Sequence, residues 1–521
     1  MGISRRSFIQ QVGLAGGMGA AYVAMQALGY APGNAAYAGP PVLPPGSGKG
    51  VRVVVLGAGI SGLVAAWELG KAGYEVTILE ARDRVGGRNW SIRNGSKIEF
   101  LDGTSQTANW DDGHYVNAGP ARLPSHHQAI LGYCRDFGVE LEVEVNSSRS
   151  SFFQNDAANG GKPIQQRQML NDTRGHIAEL LAKAVNQGSL DRDLTGLDKE
   201  RFVEFLRVFG DLSPDLFYKG SSRAGFSRLP GAADEAGMRR DPLDLKALLD
   251  EDLWNGAVFE EMVLFQATMF QPVGGMDRIP AAFERRLDRK IQRGIEVREI
   301  RKTANGVRIV HKNRKTGAVA STEADYAIVT LPLTVLRTLE TDFSPDFKEA
   351  VATPPYDNAV KIAWQSRRFW ETEAQIYGGI SFVKRDVNLI WYPSGGFHRP
   401  KGILLGCYST GEAAKTLGGL SLAQQYARSR EAIEHLHPGR GGELEAPIAV
   451  DWQKIPYSLG PWVLDWNDER RHYYNRLNQP DGNIYLANEY LTHLHAWQEG
   501  SAVSAHRAVG LIAERVRAAR L

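Results

Sequence analysis

Two stretches of this chain combine residue type and spacing in a way that implies chemistry. The first is Gly57-Ala58-Gly59-Ile60-Ser61-Gly62, which follows the β-branched run Val51-Arg52-Val53-Val54-Val55-Leu56 and precedes the helical pattern LVAAWELGKAG. Such glycines serve a tight turn, a close backbone approach to a pyrophosphate, and close packing of helix on strand. Phosphates would sit at the helix N-terminus, where free N–H groups and the dipole favour anions. A second strand, 75–79, runs into Glu80, 23 residues after Gly57, near the spacing of an acid that bonds ribose hydroxyls. The alternative is a glycine turn in an unrelated α/β domain. This element alone does not distinguish NAD from FAD.

The second stretch is Val116-Asn117-Ala118-Gly119-Pro120-Ala121-Arg122-Leu123-Pro124. Two prolines and a glycine restrict the backbone around one arginine, so its guanidinium is aimed. Arginine is the side chain suited to bidentate carboxylate recognition. A surface arginine in a turn is the competing reading. Neither His493 with His495 nor His126 with His127 makes a metal site, because no third ligand candidate stands nearby. The pair His126-His127 reads instead as surface or pocket polar groups.

These residues need elements to hold them. Strand, helix and strand over residues 51–80 predict an α/β domain. Residues 295–300 and 327–332 read as further strands, and 484–501 as strand, loop and the start of a helix running to Leu521. Between them, HHQAILGYCRDFG, IAELLAKAVNQG and KERFVEFLRVFG are helical patterns, and Gly402 to Tyr408 and Ser421 to His437 read as strand and helix. The organisation expected is discontinuous. A nucleotide-binding domain takes 51–112, 276–345 and 455–521; a mixed-sheet substrate domain takes 113–124, 236–275 and 346–454; and a helical subdomain takes 125–235.

Residues 1–38 read as an address. Arg5-Arg6 precedes a mild apolar run, 12–30, which contains five glycines and ends near Ala36-Tyr37-Ala38, the pattern of a Tat-type export signal. Periplasmic or secreted protein is the expectation, with 39–50 a Pro/Gly linker. The whole chain carries 61 Lys+Arg against 59 Asp+Glu; without Arg5 and Arg6 the balance is 59 to 59. A neutral body lacks the basic field a nucleic-acid binder needs. With 43% apolar residues the chain can build real cores, and two cysteines are too few for a disulfide framework.

Beyond the acid lies Glu80-Ala81-Arg82-Asp83-Arg84-Val85-Gly86-Gly87-Arg88, a further backbone approach with a cation at its end. This extension resembles the flavin-containing amine oxidase superfamily, and GPARLP resembles the GPxRxP segment of its L-amino-acid oxidases. The resemblance covers 51–521 and implies an α/β fold with a Rossmann-type, glutathione-reductase-like FAD-binding domain. It implies FAD held by Gly57, Gly59, Ile60, Ser61, Gly62, Glu80, Ala81, Arg82, Gly87 and Arg88. By the same resemblance Gly119, Pro120, Ala121 and Arg122 touch the cofactor, and Val297 meets the adenine through its backbone. Trp452 falls where the family places an aromatic against the flavin, although a Trp in an apolar strand is as often plain core.

Further along, Val273-Gly274-Gly275-Met276-Asp277-Arg278-Ile279-Pro280 resembles the family segment that returns the chain to the FAD domain. Lys361 matches a lysine that holds a water near flavin N5; the alternative is a solvated strand lysine. Tyr392, with Trp391 as the alternative, matches a tyrosine that gives a second bond to the substrate carboxylate held by Arg122. Residues 484–501 are similar to the "FAGEY…GW" segment, which implies Glu489, Trp497, Gln498 and Ser501 on the flavin. Two departures stand out: Asn488 and Ala496 replace glycines, and Ala496 would narrow the substrate floor next to Trp497. With no cysteine in this region, a thioether-linked flavin is not expected.

The activity implied is oxidation of L-amino acids, hydrophobic or aromatic by preference, to 2-oxo acids, ammonia and H2O2, with O2 as acceptor. An amine or polyamine oxidase and a non-catalytic FAD-binding interaction protein are the other readings. A homodimer or higher homo-oligomer stays open, and no membrane association of the mature form is expected.

Overall fold

Five parallel strands form the sheet that carries the glycine turn, in the order Ile291–Arg293, Glu75–Glu80, Arg52–Leu56, Tyr326–Val329, Ile484–Leu486. The computed structural model describes residues 39–190, 193–249, 256–464 and 466–521. Leu43–Leu521 is one compact unit, and the expected signal at 1–38 lies outside the described residues. The central strand Arg52–Leu56 is buried after its first residue, as its Val-rich run requires of a strand covered on both faces. Helix Ile60–Lys71 covers one face together with the C-terminal helix Gln498–Arg520, and Gly73 ends the first helix at φ +85°. Ser61 Oγ donates to the Ser501 carbonyl at 3.0 Å, tying the two helix starts together. This is the Rossmann-type α/β arrangement that the resemblance implied, with the four-stranded sheet 295–341 packed on the other face.

A four-stranded sheet, Val319–Ala324, Val307–Asn313, Ile295–Lys302 and Glu340–Thr341, extends from this layer. The second large sheet has seven strands, ordered Ile164–Gln165, Phe152–Gln154, Ile380–Val383, Leu389–Trp391, Lys401–Thr410, Ala359–Arg367, Glu445–Asp451. Its pairings are antiparallel except that Phe382 pairs with Phe153 in parallel, so it is a mixed sheet. Helix Leu422–Leu436 lies against it, started by a capping box between Ser421 and Gln424.

The interval 125–235 is less purely helical than its patterns predict. Helices Gln166–Asn186 and Gly196–Gly210 pack on each other through Ala178, Ala182 and Leu206. Helix Gln128–Phe137 instead joins the layer of Ile60–Lys71 and Gln498–Arg520, because Glu499 accepts the Ala129 and Ile130 N–H groups at 2.9 Å each. Short strands Leu141–Glu144 and Phe152–Gln154 leave the interval to pair with Met269–Pro272 and Ile380–Val383. Runs this short carry too few residues for a period to show.

No helix among the described residues is long and apolar enough to cross a membrane. Among the described residues no group of three or more His, Cys, Asp or Glu side chains is arranged to hold a metal ion.

Candidate active site

The glycine turn opens a cavity of about 600 Å³ that runs from Glu80 and Val297 to Lys361, Tyr408 and Trp497. Why these glycines are required is geometric. A Cβ on Gly62 would stand 2.1 Å from the Gly57 carbonyl oxygen, so the helix could not pack this close to the strand. A Cβ on Gly119 would stand 2.0 Å from the Arg88 carbonyl oxygen. Gly59 differs, since nothing lies within 4 Å of the position its Cβ would take, and it lines the cavity. That open space at a helix N-terminus is where a phosphate fits.

Glu80 is buried, and each of its carboxylate oxygens accepts one backbone N–H, from Ala58 and from Arg82, both at 2.8 Å. A carboxylate oxygen has a second lone pair, so Glu80 fixes the turn and still has acceptor capacity for ribose hydroxyls. Arg82 donates to the Pro456 carbonyl at 2.6 Å and to Ser458 Oγ at 2.8 Å. Arg88 forks onto Glu489 at 2.9 and 2.6 Å and also donates to Asn488 and the Pro461 carbonyl. Burial opposes its charge, yet Glu489 more than offsets this and holds Arg88 above its ordinary value. Asn488, at the position of the expected glycine, is used here: its amide donates to the Thr330 carbonyl at 2.8 Å.

Gly57, Gly59, Ile60, Ser61, Ala81, Gly87, Pro120, Val297, Trp452, Ala496, Gln498 and Ser501 all lie on this cavity, with Gly119. Trp452 is part of the wall and not plain core, and its Nε1 donates to the Ala118 carbonyl at 3.0 Å. Gln498 accepts from Asn89, and its buried Nε2 has no hydrogen-bond partner. An orphaned amide donor, an open Gly59, a buried acid and the Arg88–Glu489 pair together suit a large dinucleotide with hydroxyls, phosphates and a ring carrying acceptors. Neither cysteine lines the cavity, and both are buried.

At the far end, Lys361 is 5% exposed and its Nζ donates to the carbonyls of Asn117 at 3.0 Å and Gly119 at 2.6 Å. It is no solvated strand lysine. Burial first, and then the neighbouring Arg122 charge, push its ammonium down to about 7. The Tyr408 ring centroid lies 4.7 Å from Nζ, and burial raises the Tyr408 phenol to about 12.

Arg122 lies beside Trp497, its guanidinium carbon 5.9 Å from that ring, and 4.6 Å from Trp391, 4.7 Å from Phe265 and 5.6 Å from Phe259. Its side chain donates to Asn146 Oδ1, and Asn146 Nδ2 in turn donates to the Phe265 carbonyl at 2.9 Å. Burial lowers the guanidinium below its ordinary value, with Glu144 the counter-charge that opposes the shift. A guanidinium has five N–H donors, so this one keeps capacity for a bidentate acceptor.

The structure corrects three site expectations. Tyr392 does not face Arg122: its hydroxyl is buried against Ser381 at 2.9 Å and His437 at 2.8 Å. Side chains alternate along a strand, so when Trp391 turns its ring onto Arg122, Tyr392 must point into the opposite core. Ala121 and Arg122 do not line the large cavity; Ala121 faces a second cavity behind Trp391. Gly62 contributes close packing and not wall. His127 is also not a surface group. It is 1% exposed with its ring edge-on to Trp497 at 5.1 Å, and burial lowers its imidazole to about 3.

Tyr408, Phe259, Phe265 and Asn146 went unread in the sequence. Tyr408 reaches Lys361 only because the two are register partners between neighbouring strands. The two phenylalanines come from short 3-10 turns with no periodicity to betray them.

Residues 60–513 match the family model described as flavin containing amine oxidoreductase. An L-amino-acid oxidase of Siganus canaliculatus is 28% identical over 472 residues, covering 88% of this chain and 84% of the relative. An L-amino-acid oxidase of Gloydius blomhoffii is 26% identical over 484 residues, covering 88% of each. Among solved structures, a putrescine oxidase bound to putrescine overlays with a TM-score of 0.58 at 17% identity, covering 89% of this chain and 98% of that one, a likeness of fold. With the match spanning most of the chain and the cavity built as described, the protein belongs to the flavin-containing amine oxidoreductase family, an oxidoreductase whose cofactor is FAD.

Proposed function

We propose that this enzyme oxidatively deaminates L-amino acids with O2 as acceptor, yielding 2-oxo acids, ammonia and H2O2. The observation that carries this reading is Arg122: a partly buried guanidinium with spare donors, ringed by four aromatic side chains, beside the FAD cavity. An amine substrate offers nothing for that cation to bind, whereas an α-carboxylate matches its fork. The relatives named L-amino-acid oxidase support the same substrate class.

FAD, when bound, supplies the two-electron acceptor and the route to O2. Glu80, the Gly57–Gly62 turn, Arg82, the Arg88–Glu489 pair and Gln498 hold it. Arg122 receives the carboxylate and fixes the direction from which Cα enters the cavity. Phe259, Phe265, Trp391 and Trp497 exclude water and give an apolar or aromatic side chain a surface to bury on. Lys361 secures the Asn117 and Gly119 carbonyls, so it holds the turn that aims Arg122. Its ammonium, near 7, can hold or release a proton at neutral pH. The imino acid product hydrolyses in water to the 2-oxo acid and ammonia.

The test is a peroxide-coupled screen of the twenty L-amino acids, several D-enantiomers and the amines left by their decarboxylation. Faster turnover of the amines than of their parent amino acids would overturn the proposal, and absence of peroxide from every compound would favour a non-catalytic flavoprotein. Export through the twin arginines at Arg5-Arg6 is proposed alongside; retention in the cytoplasm of a chain with both changed to lysine is its check.

A further inference from the structure

Asn146 is buried and uses both ends of its amide. Its Oδ1 accepts from Arg122, and its Nδ2 donates to the Phe265 carbonyl at 2.9 Å. Chemistry fixes which end is which, because a guanidinium only donates and a backbone carbonyl only accepts. An aspartate in this place could not donate to the carbonyl, and an aliphatic side chain could serve neither partner.

The segment that carries Asn146 is itself held in place. The Val145 N–H donates to Ser394 Oγ at 2.9 Å, and the Val145 carbonyl accepts from the Gly379 N–H at 2.7 Å. Glycines permit this close approach to strand Ile380–Val383. A Cβ on Gly378 would stand 2.6 Å from Val145, and one on Gly379 would stand 2.6 Å from Ser148. Ser147 Oγ donates to Gln166 Oε1 at 3.0 Å. The amide thus projects from a fixed backbone and carries the position of the seven-stranded sheet to the guanidinium.

At the other end of the amide, Phe265 closes the short 3-10 turn Val263–Phe265. Its ring stacks on Phe259 with centroids 4.5 Å apart, and both rings lie against Arg122. Met262 and Val263, between them, are exposed, so residues 259–265 form a strap over the guanidinium. A second tie to this strap is the ion pair of Arg149 with Glu260 at 3.3 Å. Both ties start from residues 146–149.

Glu144, two residues before Asn146, already supplies a counter-charge to Arg122. A second acid at 146 would pair with the guanidinium and repel an anionic substrate group. A neutral amide orients the fork and leaves its charge in place. We infer that Asn146 is a positioning residue for carboxylate recognition, setting with one amide both the direction of the Arg122 fork and the placement of the 259–265 strap. This rests on the reading that Arg122 receives the substrate α-carboxylate.

The experiment is calorimetric titration of the FAD-loaded enzyme with 3-phenylpropanoate, a carboxylate with no amine to oxidise, and with 3-phenylpropanamide, its uncharged counterpart. Asn146→Asp should weaken the carboxylate by on the order of tenfold or more, the scale of a hydrogen bond to a charged group, and the amide by no more than about threefold. Asn146→Ala, which keeps the charge of Arg122 intact, should weaken the carboxylate less than Asn146→Asp does. A merely structural role gives the reverse order, because aspartate is nearly isosteric with asparagine. With amino acids as substrates, Asn146→Asp should raise KM more than it lowers kcat. A larger loss in Asn146→Ala than in Asn146→Asp, or equal losses for the two probes, overturns the proposal. Should Asn146→Asp fail to load FAD, Asn146→Ala carries the test alone. It should then bind the carboxylate about threefold more weakly, with a smaller loss for the amide, and equal losses overturn the proposal. Arg122→Ala, titrated in parallel, separates the two readings. Unimpaired carboxylate binding there, or none by the unsubstituted enzyme, removes the role of Arg122 and this proposal with it. Loss there with Asn146→Asp unaffected overturns the role of Asn146 alone.

Discussion

The glycine turn and the surround of Arg122 hold charged side chains by opposite means. At the turn, Glu80 takes a backbone N–H on each oxygen, and Arg88 is forked onto Glu489 with its remaining donors on neighbouring oxygens. Every charge there is answered within the protein. Around Arg122, by contrast, Asn146 accepts one hydrogen bond from the guanidinium, Glu144 supplies a counter-charge, and four rings flank it. A ring face attracts a cation but accepts no strong hydrogen bond, so the donors stay available. The first region is finished and recognises a constant cofactor through backbone and shape. The second is left incomplete, which is what a site for an exchanging anionic group requires.

The sharpest break of this comparison is Arg122→Ala. Loss of a buried charge partner typically costs about 3–5 kcal/mol, so kcat/KM on amino acids should fall by on the order of a hundredfold or more, with FAD content unchanged. Steady-state kinetics with a peroxide readout decides it, and equal turnover would remove the carboxylate role. The converse change, Gly62→Ala, forces a Cβ to within 2.1 Å of a carbonyl oxygen. Overpacking of this kind costs about 3 kcal/mol or more, so flavin content after purification should drop sharply. A variant that loads FAD normally would show the turn to be more compliant than its geometry indicates.

Lys361 joins the two regions and has its own pH signature. Its folded value near 7 lies below the ordinary 10.5, so between those values the unfolded chain binds more protons than the folded one. The destabilisation from the buried ammonium is complete below pH 7 and is relieved as pH rises toward 10.5. Lys361→Met removes it. Its Tm relative to the unsubstituted enzyme should therefore be most favourable below pH 7 and become progressively less so at higher pH, as thermal melts across pH 6 to 10 would reveal.

Paired substitutions on one strand give a smaller test. Trp391→Leu should raise KM for amino acids about tenfold by removing a ring from the Arg122 surround. Tyr392→Phe should leave kinetics within about twofold and lower stability by about 1 kcal/mol, the usual worth of a buried hydrogen bond. Reversed effects would restore Tyr392 as a carboxylate ligand. The smallest effect is expected at Ala496, which holds φ +64° next to Trp497. Ala496→Gly should stabilise by roughly 1 kcal/mol, since the left-handed region disfavours a Cβ, and it should widen the floor for bulkier substrates.

Local sequence carried the turn of the first region, though not the Arg88–Glu489 pair, whose partners lie 401 residues apart. Strand, turn, helix and acid lie within 30 residues, 51–80, and each constraint acts between near neighbours: Gly62 against Gly57, Glu80 against Ala58. The period of a helix, the burial of a Val-rich strand and the sterics of glycine are properties of the chain itself, so a reader of the sequence meets them directly. The same holds for Arg122 as a candidate, because Gly119, Pro120 and Pro124 flank it in sequence.

What surrounds Arg122 was decided by tertiary structure. Asn146, Phe259, Phe265, Trp391 and Trp497 come from segments far apart in the chain, and no local pattern specifies that they meet. The choice between Trp391 and Tyr392 is the clearest case. A strand's side chains alternate, and which of two adjacent aromatics faces inward depends on which face of the seven-stranded sheet is packed against the strand 115–117 and the Arg122 loop. The meeting of Glu144 with the Arg122 charge belongs to the same class, because strand Leu141–Glu144 and the loop that carries Arg122 come together only in the folded chain.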